Sequence, residues 1–198
     1  MFDKITSLEN LFSAWCEFRR GKRGKQDVQV FERHLEDNIF ALHEDLVSGV
    51  YRHGSYERFH IFDPKHRIIH KATVRDRLVH HAVCRVLMPV FERSFIFDSY
   101  SCRVGKGTHA AVKRLEVFAR KVSRNYRGNC YALQLDIRKV FDSVNHRILI
   151  KTLQQKISCE RTNTLLTEIV ESYSSEKRER ERVNWYPDWK SDIAVVYK

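Results

Sequence analysis

The sequence predicts a mixed α/β fold of the α+β kind, on three observations. Apolar residues recur at helical spacing over 5–20, 31–46 and 79–90, which reads as amphipathic helices. Tyr131, Leu133 and Leu135 alternate with Ala132 and Gln134, which reads as a strand. An apolar content of 42% over 198 residues suffices for a core of ordinary size. The net charge of +11 points to a polyanionic partner, because cations attract phosphate without regard to sequence. That balance marks a partner class only. No run of about 18 apolar residues occurs, so no spanning helix is expected. Met1-Phe2-Asp3-Lys4-Ile5 lacks the basic-then-apolar order of a signal peptide. Five scattered cysteines without a Cys-x-x-Cys suit a reducing cytoplasm better than a disulfide frame or a zinc site.

Ile5, Leu8, Leu11, Phe12, Trp15 and Phe18 predict one helix over 5–20. The basic loop Arg19–Lys25 follows, with Gly21 and Gly24 inside it. Asp27 is expected to cap a second helix. Phe31, Leu35, Ile39, Leu42 and Leu46 form its stripe, and Gly49 suits its stop. From Tyr51 to Phe62 the pattern turns strand-like. Asp63-Pro64 marks a turn, and Arg67 to Ile69 a short strand. A helix is expected to begin at Asp76, its apolar face being Val79, Ala82, Val83, Val86, Leu87 and Val90. His80 and His81 are adjacent and point roughly 100° apart, with no carboxylate at ligand spacing, so helix packing explains them better than a metal. Gly105-Lys106-Gly107-Thr108 lacks the earlier glycine of a phosphate loop. It reads as a flexible loop with Thr108 capping a helix through Val112, Leu115 and Phe118. Beyond the strand at 131–135, Ser143 is placed to cap a helix carrying Val144, Ile148 and Leu149, continuing to Ile157. Leu165, Leu166, Ile169 and Val170 suggest another.

Asp136 stands at the end of the predicted strand, with Asp142 six residues on. A carboxylate at a strand tip, next to a backbone carbonyl, can hold a hard divalent cation through oxygen. It can equally cap a turn, as single aspartates often do. Leu135-Asp-Ile-Arg-Lys-Val-Phe-Asp-Ser-Val-Asn-His146 resembles the first palm motif of reverse transcriptases, in the form of the bacterial group II intron-like and diversity-generating types. Two further blocks in the same order strengthen the resemblance. Pro64-Lys65-x-Arg67-x-Ile69, with Ala72-x-x-Arg75-Asp76-Arg77-x-Val79-x-His81, is similar to the fingers motif. Phe95-Ile-Phe-Asp-Ser-Tyr100, continuing through Arg103 and Gly105-Lys-Gly-Thr-His-Ala110, is similar to the block joining fingers to palm. Together they span roughly residues 26–175.

The resemblance implies the fingers and partial palm of a right-hand polymerase, truncated. It implies RNA-directed DNA synthesis from an RNA template, a DNA primer and deoxynucleoside triphosphates, with magnesium as cofactor. By that likeness Asp136 binds metal and is the catalytic carboxylate, joined by the carbonyl of Ile137. Lys65 and Arg67 contact the triphosphate, and Phe141 lies under the deoxyribose and excludes a 2′-hydroxyl. Arg75, Arg77, Arg103 and Lys106 are nucleic-acid-facing candidates. The implied division is a helical region at 1–50, fingers and their connection at 51–128, the first part of the palm at 129–175, and a tail at 176–198.

The pattern fails at that tail. Reverse transcriptases complete their site with Tyr-x-Asp-Asp on a later hairpin, because two metals need several anionic ligands. No Tyr-x-Asp-Asp occurs here. The stretch from Ser174 is dense in charge and without period, as in disordered segments. Read one base later, from the second base of the Asn184 codon, the permitted codons include Ile-Gly-Ile-Pro-Ile-Gly-Asn-Leu-Thr-Ser-Gln-Leu-Phe-Thr. That is similar to the next palm motif of the family. The expectation is a frameshift or a reading error between about Ser175 and Asn184, leaving a chain inactive as written. Two other classes stay open: a non-catalytic RNA- or DNA-binding protein reusing the fingers, and a metal nuclease using Asp136 and Asp142.

Overall fold

A computed structural model describes residues 1–62, 66–137 and 143–173. Its order is α1 (Phe2–Thr6), α2 (Leu8–Phe18), α3 (Gln26–Arg33), α4 (Leu35–Ser48), β1 (Glu57–Phe62), β2 (His66–Lys71), α5 (Val74–Glu92), α6 (Thr108–Val122), α7 (His146–Gln154) and α8 (Glu160–Ser172). The expectation of an α+β fold holds: helices accompany a small two-stranded antiparallel sheet. The chain divides into two compact units, one of residues 1–93 with the stretch from 144, the other of residues 94–143.

The first unit is built on α2 and α5. Leu11, Ala14, Trp15 and Phe18 recur every three or four residues, so they share one face of α2 and are buried. Leu78, Val79, Ala82, Val83 and Leu87 do the same on α5. Ile39, Leu42 and Leu46 of α4, with Ile157, Leu165 and Leu166, join them in one core. Trp15 packs between Phe18 and Phe31, ring centroids 5.7 and 5.2 Å away. The helix expected over 5–20 is two helices. Ser7 leaves helical geometry and accepts a hydrogen bond from Asn10 N (3.2 Å), capping α2. Asn10 then donates to Ala82 O (3.1 Å) and pins the corner onto α5.

Several expected caps move. The helix expected from Asp27 is also two, broken at His34 (φ −123°, ψ 44°), and Asn38 Nδ2 donates to Phe31 O (3.0 Å), a carbonyl the break frees. Lys25 occupies the cap of α3, and Asp27 sits inside the first turn bound to Lys71 and Arg77. Thr73, not Asp76, begins α5: its hydroxyl accepts from Asp76 N at 3.2 Å. Gly107, not Thr108, caps α6, and Asn145, not Ser143, caps α7 by accepting from Ile148 N (3.2 Å). Gly49 closes α4 as expected, in the left-handed region (φ 76°).

The strand-like stretch at 51–62 is a strand only from Glu57. β1 and β2 pair in register Glu57↔Lys71 through Phe62↔His66, so Arg67 stands opposite Ile61. No side chain of either strand is buried. The expected turn at Asp63-Pro64, and Lys65 with it, lies outside the described residues.

In the second unit none of the buried apolar residues falls among the described positions. The strand expected at 131–135 does not form: residues 129–137 have no regular structure. Tyr131, Leu133 and Leu135 keep their alternation yet are 66–70% exposed. The reason is pairing. A strand needs neighbours to satisfy its N–H and C=O groups, and no other strand lies in this unit among the described residues.

Candidate functional site

Arg67 is exposed near the end of the β1–β2 hairpin. It shares a hairpin face with Ile61, Phe59, Ile69, Glu57 and Lys71, because side chains alternate along each strand. On the other face His60, Phe62 and His66 stack, with His60 and His66 centroids 5.0 Å apart and Phe62 4.8 Å from His66.

Arg75 and Arg77 sit in the framework behind the hairpin. Arg75 Nη2 lies 2.6 Å from Asp45 Oδ2, and its guanidinium covers the Tyr51 ring at 4.6 Å. Arg77 Nη2 lies 2.5 Å from Asp27 Oδ2 and its guanidinium covers Phe18. Lys71 Nζ reaches the same Asp27 oxygen at 2.9 Å. Burial alone pushes the Asp27 carboxyl up, but hydrogen bonds from Lys71 and Arg77 outweigh it and hold the group below its ordinary range.

Between them lies a polar knot around the buried Asp76 and Tyr51. Asp76 is 1% exposed. Its Oδ1 accepts from Tyr51 Oη at 2.8 Å, and its Oδ2 from Thr73 Oγ1 at 2.6 Å and Gly54 N at 3.1 Å. His53 stacks on His80 (5.2 Å) and on Tyr56 (4.9 Å), and His53 Nε2 is 3.2 Å from His80 Nε2. Burial, then the neighbouring His53, pushes His80 down to about 4. Burial, then Asp76, raises the Tyr51 phenol. His81 packs edge-on against Phe18. The reading of Tyr51 to Gly54 as plain strand missed this knot. Thr73-x-x-Asp76 is a capping-box spacing and was the one available signal.

In the second unit Asp136 is exposed, and its Oδ1 accepts from Ile137 N at 3.0 Å. Phe141 and Asp142 lie outside the described residues. Among the described residues no group of three or more His, Cys, Asp or Glu side chains is placed to hold a metal. Asp136 with the Ile137 carbonyl offers a hard oxygen pair. That fits magnesium in part, since this ion commonly takes one or two carboxylates and completes its shell with water and substrate phosphates. Arg103 Nη1 donates to Ile96 O (2.8 Å) and Ser99 O (3.0 Å). Lys106 donates to Phe97 O and covers the Phe97 and Tyr100 rings at 4.2 and 5.1 Å. Both cations therefore brace the 94–107 loop. No described helix is long and apolar enough to cross a membrane.

Residues 62–187 match the family described as reverse transcriptase (RNA-dependent DNA polymerase). The match takes in β2, α5, the 94–107 loop and Asp136, and reaches past residue 176. Protein YkfC of Escherichia coli K12 is 29% identical over 145 residues, covering 72% of this chain and 38% of that protein. An uncharacterized 91 kDa protein in the cob intron of Schizosaccharomyces pombe is 26% identical over 153 residues, 72% of this chain and 18% of its own length. Nuclear intron maturase 2, mitochondrial, of Arabidopsis thaliana is 20% identical over 142 residues, 64% of this chain and 18% of that protein. The chain thus spans well under half the length of each.

Proposed function

The chain belongs to the reverse transcriptase family, and from that premise we propose that it supplies the fingers and first palm segment of an RNA-directed DNA polymerase. The observation that carries this reading is the family match over 62–187, which includes Arg67 and Asp136. Lys65 and Arg67 grip the triphosphate of an incoming deoxynucleotide, Lys as a point charge and Arg as a two-pronged donor. The exposure of Arg67 on the hairpin supports its part in this. Asp136, with the Ile137 carbonyl, would hold magnesium, an ion that in a complete polymerase site would screen phosphate charge and activate the primer hydroxyl. Phe141 excludes a 2′-hydroxyl. Arg103 and Lys106 act on nucleic acid by shaping the loop that carries them, while Arg75 and Arg77 steady the hairpin behind Arg67. The excess of cations draws the chain to template and primer backbone. No Tyr-x-Asp-Asp occurs in these 198 residues, so the activity proposed for them is substrate binding.

The test is binding by the purified chain. An RNA template annealed to a DNA primer should bind with an affinity that falls steeply with salt, as counterion release requires. Arg67→Ala should weaken deoxynucleoside triphosphate binding roughly 10-fold or more, the scale of one lost charge-assisted bond, and leave primer–template binding nearly unchanged. Triphosphate affinity equal in wild type and Arg67→Ala would remove the role given to Arg67. Salt-independent or absent RNA binding would remove the reading itself.

A further inference from the structure

We infer that Asp76 is a positioning residue: its carboxylate ties both ends of the β1–β2 hairpin to α5 and so holds Arg67 in place for the triphosphate. The inference rests on the function just proposed for Arg67.

The geometry is that of a clasp. Gly54 lies three residues before β1, and Thr73 two residues after β2. Both bind one carboxylate oxygen of Asp76, at 3.1 and 2.6 Å, while Tyr51 binds the other. A capping role alone needs only Thr73. The bonds from Tyr51 and Gly54 bring in the segment that leads into β1, which α5 does not need for its own start. Gly54 fits this duty, because a Cβ there would meet Asp76 Oδ2 at 3.0 Å and Thr73 Cγ2 at 3.2 Å. The segment is held from a second side by α8: Glu168 Oε1 accepts from His53 N (2.9 Å), and Tyr56 Oη lies 3.2 Å from Ser172 Oγ.

The hairpin needs such a clasp. It buries none of its own side chains, and two isolated strands are marginally stable in water. Its aim is therefore set at its base. Arg67 is six residues from Thr73, roughly 20 Å along an extended strand. A tilt of about 5° at the base moves it by roughly 1.7 Å, and a misplacement of about 1 Å already costs reacting groups on the order of 100-fold.

The test uses the full chain carrying Asp76→Asn, Tyr51→Phe, Thr73→Val or Thr73→Ser. Asparagine turns an amide N–H toward a donor that the carboxylate had satisfied. Tyr51→Phe removes one bond and keeps the ring. Two readouts are taken: amide hydrogen exchange of β1 and β2 relative to α2, and binding of a fluorescent dATP analogue with magnesium. Asp76→Asn, Tyr51→Phe and Thr73→Val should speed exchange in both strands about 10-fold or more, with α2 unchanged, and weaken dATP-analogue binding by a similar factor. Primer–template affinity should hold, and Thr73→Ser should restore wild-type values. If Asp76→Asn fails to fold, Tyr51→Phe decides. Hairpin exchange at the wild-type rate in folded Tyr51→Phe and Thr73→Val would overturn the inference. If wild type binds no dATP analogue, the role of Arg67 falls, and with it the purpose assigned to the clasp. Loosened strands with unchanged analogue binding would also overturn the positioning role.

Discussion

Acid should unfold this protein through His80 before it does so through the carboxylates. His80 is packed against His53, with Asp76, His81 and Arg77 nearby, and its folded-state value lies at about 4 against an ordinary 6.5. A half-buried base held below its unfolded value binds its proton less readily when folded. The folded state is therefore at full strength above about 6.5 and loses stability as pH falls from 6.5 toward 4. The full shift is worth about 3 kcal/mol, of which about 2 is lost between pH 7 and pH 5. In a chain of this size that lowers Tm by about 4–8 °C. His81 is also lowered, by burial and then Lys22, and adds in the same direction, so the variant comparison decides. Asp27 acts below this window, because its folded value lies under the ordinary 3.8. The assay is urea unfolding followed by far-UV circular dichroism at about pH 7 and about pH 5, on wild type and His80→Phe. Phenylalanine keeps a ring for His53 to stack on and cannot titrate. The variant should lose about 2 kcal/mol less than wild type over that interval. Equal losses in the two proteins would refute the reasoning.

Leu78→Ala, at a fully buried position on α5, should cost about 2–5 kcal/mol in the same urea assay, since it leaves a cavity among helices that α5 joins. A loss under about 1 kcal/mol would show that the site collapses around the smaller side chain. Sequencing of the coding DNA from the Lys156 codon onward should reveal a frame that passes into Gly-x-x-x-Ser-Gln and then Tyr-x-Asp-Asp. A confirmed frame with nothing polymerase-like after it would remove the frameshift reading of 176–198.

Periodicity made the core legible. Leu11, Trp15 and Phe18, and Val79, Ala82, Val83 and Leu87, could be read from spacing because burial on a helix is a local matter of 3.6 residues per turn, whereas Ala14 and Leu78 are buried outside the stripes that were read. The stop at Gly49 was readable for a different local reason, that the left-handed turn closing a helix favours glycine. The breaks at Ser7 and His34 were not, because an apolar stripe can run on across a kink and its period does not report the backbone turn. The base of the hairpin was not legible either. Tyr51 and Gly54 meet the local Thr73–Asp76 pair only through tertiary contact, and a buried phenol bound to a carboxylate leaves no periodic trace. Residues 131–135 show the opposite case. Their alternation is legible and belongs to a strand, but a strand exists only with a neighbour, which alternation cannot supply. The site residues divide in the same way: the family motifs singled out Arg67 and Asp136, whereas the ion pairs that occupy Arg75 and Arg77 appear only when Asp45 and Asp27 are brought beside them.

The first unit is discontinuous, and this sets the order in which it can be completed during synthesis. Ile157, Leu165 and Leu166 belong to the same core as Phe2, Ile5 and Leu46. Between the two contributions run residues 94–143, none of which, where described, adds an apolar side chain to that core. A ribosome moving at about 5–20 residues per second takes roughly 3–10 s to cross that interval. For those seconds the N-terminal helices stand with one apolar flank open, awaiting helices still to be translated. The nascent chain then carries exposed apolar surface of the kind that makes partly folded states prone to aggregate.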